Sequence, residues 1–185
     1  MAESVDLARA VHFDLPNGSV QLGDDAHAVL LPSQAFAELL RSVHGDVRNR
    51  IGRSVGDAMG RRVAKRLGGA GGVLASSLEA TATHLAAELA LSGFGQLVLE
   101  RWGRALVFHI ATTNVDVPDF FLGWIEGAVV ASTGRTAVGC ALLSTASGIR
   151  ILVSSEASAM RVRKWIDQSV SWSDALVRLQ SGGGV

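Results

Sequence analysis

The sequence predicts an α+β fold in which an antiparallel sheet, built from hairpins, packs against a layer of helices. The strand-like segments come in pairs separated by short turns, and such pairs form antiparallel hairpins rather than parallel crossovers. Apolar residues make up 48% of the 185 residues and charged residues 18%, which is enough for a packed core. The length is typical of one domain, so a single domain over 1–185 is expected.

The segment 11–31 is predicted to form an N-terminal hairpin or meander. Val11, Phe13 and Leu15 alternate with polar residues, and Pro16–Gly18 is typical of a tight turn. The alternation of apolar and polar residues resumes after this turn, as expected for the returning strand. The first strands are therefore expected to pair with each other.

The segment 33–155 is predicted to contain the helices and the sheet of the core. Helices are predicted from Ser33, over 46–67, from a capping box at Ser76 to 92, and over 119–132; strand pairs are predicted over 96–102 with 105–111 and over 136–144 with 149–154. The glycine-rich stretch 68–72 is predicted to be a flexible link. Two short helices over 156–180 and a frayed tail over 181–185 complete the chain.

Three glycines in the helix predicted over 46–67 lie one turn apart, at Gly52, Gly56 and Gly60. Each glycine in a helix interior costs about 1 kcal/mol relative to alanine, so three in register require a compensating gain. Close approach of a second backbone would supply that gain, and we therefore expect these glycines to pack against another helix. An irregular or broken helix is the alternative.

The same helix carries a basic stripe, defined here as Arg48, Arg53, Arg61, Arg62, Lys65 and Arg66. With Arg50 included, seven basic residues against Asp46 and Asp57 give the helix a local charge of +5. Such a stripe is typical of a solvated face, and it could also contact an acidic protein partner, nucleic acid or lipid. No aromatic residue interleaves the stripe, so a nucleic-acid partner is not expected.

Aromatic residues are the main candidates for a ligand pocket or a protein interface: Trp102, Phe120, Phe121 and Trp124. The apolar face around 120–125 is typical of a core, but aromatic-rich apolar surface also lines pockets and dimer interfaces. His109 alternates with apolar neighbours in a predicted strand, and Cys140 lies in the last predicted hairpin. His109 and Cys140 are therefore added to the four aromatic residues as candidate ligand-binding or interface residues.

Several classes of site are excluded by the residues present. Cys140 is the only cysteine, which rules out a disulfide framework and a multi-cysteine metal site. His84 and Glu88 are four apart on a predicted helix, but no further ligands lie near them in the sequence, so we interpret them as a solvated pair and expect no metal. No phosphate-binding glycine motif is present, and no cofactor is expected.

The overall charge is balanced, with 17 basic and 17 acidic residues, and does not indicate a polyanionic partner. The N-terminal residues lack the pattern of a signal peptide, and no run of about 18 apolar residues could form a membrane span. A cytoplasmic location is therefore expected.

The pentapeptide Gly52–Gly56 matches the G-x-S-x-G pattern of a hydrolase nucleophile elbow, with Ser54 at its centre. That chemistry needs the serine on a tight strand-to-helix turn. Ser54 instead lies inside a predicted helix with no strand before it. We interpret the match as a coincidence and expect no catalytic role.

The order of four motifs resembles a known family; they are Ala28–Pro32, the spaced glycines 52, 56 and 60, Ser92–Gly95, and Phe121–Gly127. From about Ser19 to Ser155 the chain is similar to the 4-vinyl reductase domain. That domain belongs to the superfamily that joins ligand-binding nitric-oxide-signalling domains to the TRAPP tethering proteins of the Golgi. Gly56–Gly60 and Leu91–Gly95 also resemble segments of the ring-forming accessory protein of bacterial cellulose synthase, which is a scaffold and not an enzyme.

The resemblance implies a two-layered α+β fold, dimerisation through helices, and either an apolar ligand cavity or a scaffold role. Many members of the family carry several cysteines or histidines near the last hairpin, whereas this chain has only Cys140. Two functional hypotheses follow. The first is a homodimeric regulatory domain that binds an apolar small molecule or a protein partner, and the second is a structural component of a larger homo-oligomeric assembly.

Overall fold

A computed structural model describes residues 11–22, 26–111, 115–145 and 148–181. The strands are β1 (Val11–Asp14), β2 (Ser19–Leu22), β3 (Ala26–Ala28), β4 (Gln96–Trp102), β5 (Ala105–Ala111), β6 (Val138–Thr145) and β7 (Gly148–Ser154). The helices are α1 (Ser33–Arg41), α2 (Gly45–Arg66), α3 (Gly69–Ala75), α4 (Leu78–Leu91), α5 (Pro118–Thr133), α6 (Glu156–Asp167) and α7 (Trp172–Ser181). The predicted tail lies outside the described residues, except for its first member, Ser181, which ends α7.

The strands form two antiparallel sheets. The first is a meander in the order β1-β2-β3, and the second has the order β4-β5-β7-β6. In the larger sheet, β4 pairs with β5 and β6 with β7, and the two hairpins join through β5 and β7. The α+β prediction is confirmed, because hairpins build the sheet and helices pack against it.

The larger sheet is covered on both faces, so this part of the chain has three layers instead of the two that the family resemblance implies. One face packs on α2, α4 and α5 through alternate residues such as Phe108, Ile110 and Ile151. The other face packs on α6 and α7 through the intervening residues, including Val107 and Leu152. The segment 156–180 therefore supplies a layer, because period-two strands with apolar residues on both faces need a cover on each.

The tightest contact between helices joins α2 to α5. A Cβ added at Gly52 or Gly56 would overlap the backbone carbonyl oxygen of Phe120 or Trp124, respectively. Gly60 lies in the same way against the carbonyl of Ala128. The second backbone expected from the glycine spacing is therefore α5, and α2 is one continuous helix rather than an irregular one.

Glycines of α5 reciprocate this contact. A Cβ at Gly123 would overlap the carbonyl oxygen of Asn49, and one at Gly127 would overlap that of Arg53. Since both helices lack side chains where they meet, their backbones approach more closely than ordinary ridge-into-groove packing permits. The glycine face of α2 is thus covered within the same chain, which leaves it unavailable as a contact surface for a partner.

The prediction of a flexible link over 68–72 is wrong beyond its first residue, because α3 begins at Gly69. Gly68 and Gly69 have φ of 84° and 87°, so the chain turns there in the left-handed region that favours glycine. The helix α3 includes Gly69 as its first residue and buries Val73. The helix cap also differs from the prediction: Ser77, not Ser76, accepts the amide of Ala80 at 3.1 Å, while the Ser76 hydroxyl donates to the carbonyl of Gly72.

The meander and the segment after it are loosely attached to the rest of the described chain. No residue before Phe36 belongs to either hydrophobic cluster of the described residues. Six large apolar side chains here are 53–83% exposed: Phe13, Leu15, Val29, Leu30, Leu31 and Leu39. They are called the exposed N-terminal apolar residues below. Among the helices described, none has both the length and the apolar character needed to cross a bilayer.

Candidate functional site

A groove of about 470 Å³ opens between α4 and the edge strand β4. Its floor is mostly apolar, with Ala82 and Ala86 from the helix and Leu97, Val98 and Leu99 from the strand. We call it the α4–β4 groove. Its volume lies in the range of small-molecule sites, which are concave and mainly apolar with a few polar groups at defined places.

The groove exists because small residues face a strand at the edge of the sheet. Within the described residues β4 has a neighbouring strand on one side only, β5. On its open side, α4 presents Ala82, Thr83 and Ala86, whose short side chains leave space that larger residues would fill. The groove therefore lies between the helical layer and the sheet.

The polar groups of the α4–β4 groove are at its rim. Glu79 and Arg101 form an ion pair across it, with 2.5 Å between the carboxylate and guanidinium atoms. Both side chains are about 60% exposed, at 61% and 58%, so this pair is readily exchanged for contacts with water or a ligand. The rim can thus supply one hydrogen-bond acceptor and one donor above an apolar floor.

A polar cluster lies on the opposite face of β4, β5 and β7, and it includes two of the candidate residues. Glu100 accepts two hydrogen bonds from Arg150, at 3.1 Å each, and one from Trp102 Nε1 at 3.2 Å. His109 Nδ1 lies 3.7 Å from the same carboxylate. Trp172 packs edge-on against Trp102, with ring centroids 4.9 Å apart, and Arg150 lies over the Trp172 ring.

The chemistry of this cluster follows from partial burial. Burial disfavours ionisation of Glu100, but the hydrogen bonds from Arg150 and Trp102 outweigh it and hold the pKa of the carboxyl below its ordinary value. The carboxylate is therefore ionised at neutral pH and its acceptors are occupied within the chain. We interpret the cluster as a link between the sheet and α7.

The other aromatic candidates lie in the core. Phe120, Phe121 and Trp124 have no exposed surface, and Phe120 contacts the rings of Phe36 and Phe94 at 5.5 and 5.2 Å. These three residues therefore form no part of an exposed interface in this structure. Trp124 donates its indole N–H to the sulfur of Met59 at 3.0 Å, which satisfies a buried donor with a weak acceptor.

Cys140 is separated from these aromatic residues by the sheet. It is 1% exposed and packs in the cluster beneath α6 and α7. Burial raises the pKa of its thiol, although the nearby charge of Arg163 acts in the opposite direction. A protonated, buried thiol is a poor nucleophile, and the structure does not bring Cys140 together with Trp102, His109 or the aromatic core.

The basic stripe is largely ion-paired within the chain, although the side chains of Arg53 and Arg61 keep 54% and 73% of their surface exposed. Arg62 and Arg66 both bind the carboxylate of Glu88, which is only 2% exposed. Further pairs within the described residues are Arg48 with Asp119, Arg53 with Glu126, and Arg61 with Asp57. Lys65 also has an interaction partner within the chain. The ion pairs of the stripe join α2 to its neighbours. The local charge of +5 counted from the sequence therefore overestimates the positive charge that a partner would contact.

The interpretation of His84 and Glu88 as a solvated pair is wrong for Glu88, because this carboxylate is buried between the two arginines. Among the described residues, no group of three or more His, Cys, Asp or Glu side chains could hold a metal ion. Ser54 is exposed in the middle of α2, away from any strand-to-helix turn. The nucleophile-elbow geometry is therefore absent at this serine.

The sequence reasoning missed the groove residues Ala82, Ala86, Leu97 and Arg101. Only one signal could have pointed to them, namely the small residues 82, 83 and 86 on one side of a helix that leads into an edge strand. That signal is weak without knowledge that β4 lies at the edge of the sheet.

Comparison with known proteins identifies a related fold but no family. No protein-family model matches the chain, and no curated protein matches it. A solved structure with a similar fold is the phenol-responsive sensory domain of the transcription activator PoxR, crystallised with phenol. The two chains share 17% identity with a TM-score of 0.59, over 94% of this chain and 92% of the other. The likeness shows that the two chains share a fold, and the resemblance to the 4-vinyl reductase and TRAPP-like families stays a prediction.

Proposed function

We propose that this chain is a non-enzymatic regulatory domain that binds a small aromatic or apolar molecule in the α4–β4 groove and acts as a homodimer. The observation that carries the proposal is the groove itself: an apolar floor of ligand-pocket size between helix and sheet, with one ion pair at the rim. A phenolic molecule matches this arrangement, because its ring can lie on the leucines and its hydroxyl can reach Glu79 or Arg101.

The similarity to a phenol-responsive sensory domain supports the class of ligand. The charged side chains support the absence of catalysis, since those nearest the candidate sites are ion-paired and the one cysteine is buried. A sensory domain needs only a ligand that binds one of its two conformations more tightly than the other. A ligand in the α4–β4 groove would change the separation between the helical layer and the sheet, and so could distinguish two such conformations.

A titration with phenol and with toluene tests the ligand site. We expect saturable binding of phenol by calorimetry to the full chain, and weaker binding of toluene because it cannot use the rim. Ala86→Trp should abolish binding, because the indole would fill the groove. Ala90→Trp is the matched control, since Ala90 is exposed on the same helix outside the groove and should leave binding unchanged.

Thermal melting of both variants separates a blocked site from a misfolded chain. If Ala86→Trp melts like the wild type and still binds phenol with the same affinity, the α4–β4 groove is not the ligand site. If neither phenol nor toluene binds the wild-type chain, the proposed ligand class is wrong.

The proposed homodimer rests on the exposed N-terminal apolar residues. Taking roughly 200 Å² for a fully exposed large apolar side chain, these six residues present on the order of 800 Å², which matches one side of a standard protein interface. The meander is otherwise poorly packed, and isolated small sheets are marginally stable in water. A second copy of the chain offers a matching apolar surface, since a two-fold interface uses the same patch twice.

Native mass spectrometry measures the oligomeric state. We expect a dimer for the wild type and a monomer for Leu15→Glu/Leu30→Glu, while Val177→Glu should remain dimeric because it adds a charge at an exposed apolar residue of α7. A monomeric wild type would refute the homodimer. A larger ring would favour the scaffold hypothesis, to which the same exposed apolar residues lend support.

A further inference from the structure

A second groove lies at the other end of strand β4 and is lined by two arginines that have no acidic partner among the described residues. It has a volume of about 490 Å³ and runs between the β4–β5 turn, the end of β7, and the helices α6 and α7. Arg104 lies at the turn and Arg161 on α6, and neither forms an ion pair with any described residue. No Asp or Glu is among the described residues of its lining. We call it the Arg104–Arg161 groove.

The floor and walls of this groove combine apolar and donor groups. Ala105 and Leu179 contribute apolar surface from the α6 and α7 face of the sheet, and Ser154 and Ser158 also line the groove. The Ser158 hydroxyl accepts a hydrogen bond from Ser155, which leaves its own proton available as a donor. The groove thus offers two guanidinium groups and a hydroxyl next to apolar side chains.

Specific packing holds the groove together. Gly103 has a φ of 61°, and a Cβ at this position would overlap the side chain of Gln180. Gln180 donates a hydrogen bond to the carbonyl of Trp102 at 2.5 Å, which ties the C-terminal end of α7 to the β4–β5 turn. Arg104 is therefore carried by a turn that is anchored to α7.

We propose that the Arg104–Arg161 groove binds a small amphipathic anion, with a carboxylate or phosphate head between the two guanidinium groups and an apolar tail on Ala105 and Leu179. Two like charges in one groove repel each other, and an oxyanion between them removes that repulsion while accepting several charge-assisted hydrogen bonds. An anion without a tail would leave the apolar surface of the groove exposed, whereas a neutral molecule would leave the two guanidinium groups without a counter-charge. The groove is separate from the α4–β4 groove, so this proposal does not depend on the phenol site.

The test uses octanoate, octyl phosphate and octanol as probes, titrated into the full chain at about 0.15 M ionic strength, where the Debye length is about 8 Å, and below the concentration at which each probe aggregates. We expect both anions to bind at least tenfold more tightly than octanol. Stronger binding of octyl phosphate would assign a phosphate head, and stronger binding of octanoate a carboxylate. Equal affinity for octanol and the two anions would overturn the proposal.

Arg104→Ala/Arg161→Ala should weaken anion binding at least tenfold. Arg41→Ala/Arg135→Ala is the matched control, because both are exposed arginines outside the groove and their removal lowers the net charge by the same two units. We expect this control to change affinity by less than about twofold, as remote exposed charges are screened by salt. Equal losses in both variants, or no loss in the first, would show that the groove does not bind the anion. Phenol binding should be unaffected in either case.

Discussion

The absence of one methyl group at each of five residues sets the distance between α2 and α5. Gly52, Gly56 and Gly60 on one helix and Gly123 and Gly127 on the other meet backbone carbonyls or amides directly. Each glycine is entropically costly in a helix, so the tight backbone contact has to offset that cost. The spacing of the first three glycines was visible in the sequence, whereas the identity of the facing helix was not.

Gly56→Ala should lower the free energy of unfolding by about 3 kcal/mol or more, because the added methyl overlaps the carbonyl of Trp124 and the helices must separate. Urea denaturation of the variant and the wild type measures the change. Gly71→Ala is the control: it lies in α3 with no atom within 4 Å of the added Cβ, and it should be neutral or stabilise by up to about 1 kcal/mol. Similar effects at both positions would contradict the close packing described for α2 and α5.

Glu100 should make stability depend on pH in the acid range. Its pKa is lower in the folded chain than the ordinary value of about 4.5, so its contribution is present above that pH and is lost as the pH falls through the folded value. Glu100→Gln should therefore destabilise the chain at pH 7 and differ less from the wild type at pH 3. Urea unfolding at the two pH values provides the measurement, and a difference that grows towards low pH would contradict the ion pair with Arg150.

At the scale of elements, α2 is the helix to which the rest of the helical layer attaches. Its glycine face packs on α5, and its arginines reach Glu88 on α4 and Glu126 on α5. Glu126 also accepts the amide of Gly139 on β6 at 2.8 Å, so one buried carboxylate connects two helices and the sheet. Buried carboxylates of this kind are costly unless they are paired, which explains why the basic residues of α2 cluster on one segment.

Glu88→Gln should cost about 2–3 kcal/mol, because it leaves Arg62 and Arg66 without the carboxylate and breaks a pair that is buried on the Glu88 side. Glu79→Gln on the same helix should cost less than about 1 kcal/mol, since its pair with Arg101 is exposed. Denaturation curves of the two variants give the comparison. A cost at Glu88 no larger than that at Glu79 would show that α4 is not held to α2 by this carboxylate.

The elements were more predictable from the sequence than the contacts among them. Local patterns placed β4 and β5 at their observed bounds and α2 and α5 within one residue of theirs. The pairing of the basic stripe was not predictable, since Arg62 meets Glu88 26 residues away and Arg53 meets Glu126 73 residues away. The periodicity of apolar residues carries no information about partners so far apart in the sequence. A count of charges within one helix therefore cannot show which arginines are paired. The α4–β4 groove was not predicted either. Its existence depends on which strand lies at the edge of the sheet, and this is set by pairing between strands that are distant in the sequence.

The whole molecule consists of a three-layered body, built from helices α1 to α7 and the larger sheet, and a meander that contributes nothing to the described hydrophobic clusters. The body contains both grooves proposed as ligand sites, one on either side of the sheet near strand β4. The meander carries exposed apolar residues but no groove among those described here. The proposals made above therefore place ligand binding and self-association on different parts of the chain.

Removal of residues 1–28 should therefore leave the body folded and able to bind phenol, while reducing self-association. We expect the melting temperature to change by only a few degrees, as no described core contact before Phe36 is lost. Calorimetry and native mass spectrometry on the shortened chain measure the two properties separately. Loss of the cooperative melting transition would mean that the meander is part of the core, and an unchanged dimer would place the interface elsewhere.

The interlocked glycines also limit how the molecule can respond when something binds. If α5 slid along α2 by a single residue, side chains would arrive where carbonyl oxygens now lie, so the two helices can rotate or translate only as one rigid unit. The arginines bound to Glu88 fasten α4 to that unit, whereas β4 belongs to the sheet. A molecule wedged between α4 and β4 would therefore tilt the sheet against the helices, and α6 and α7, which pack on the far side of the sheet, would carry the displacement outward.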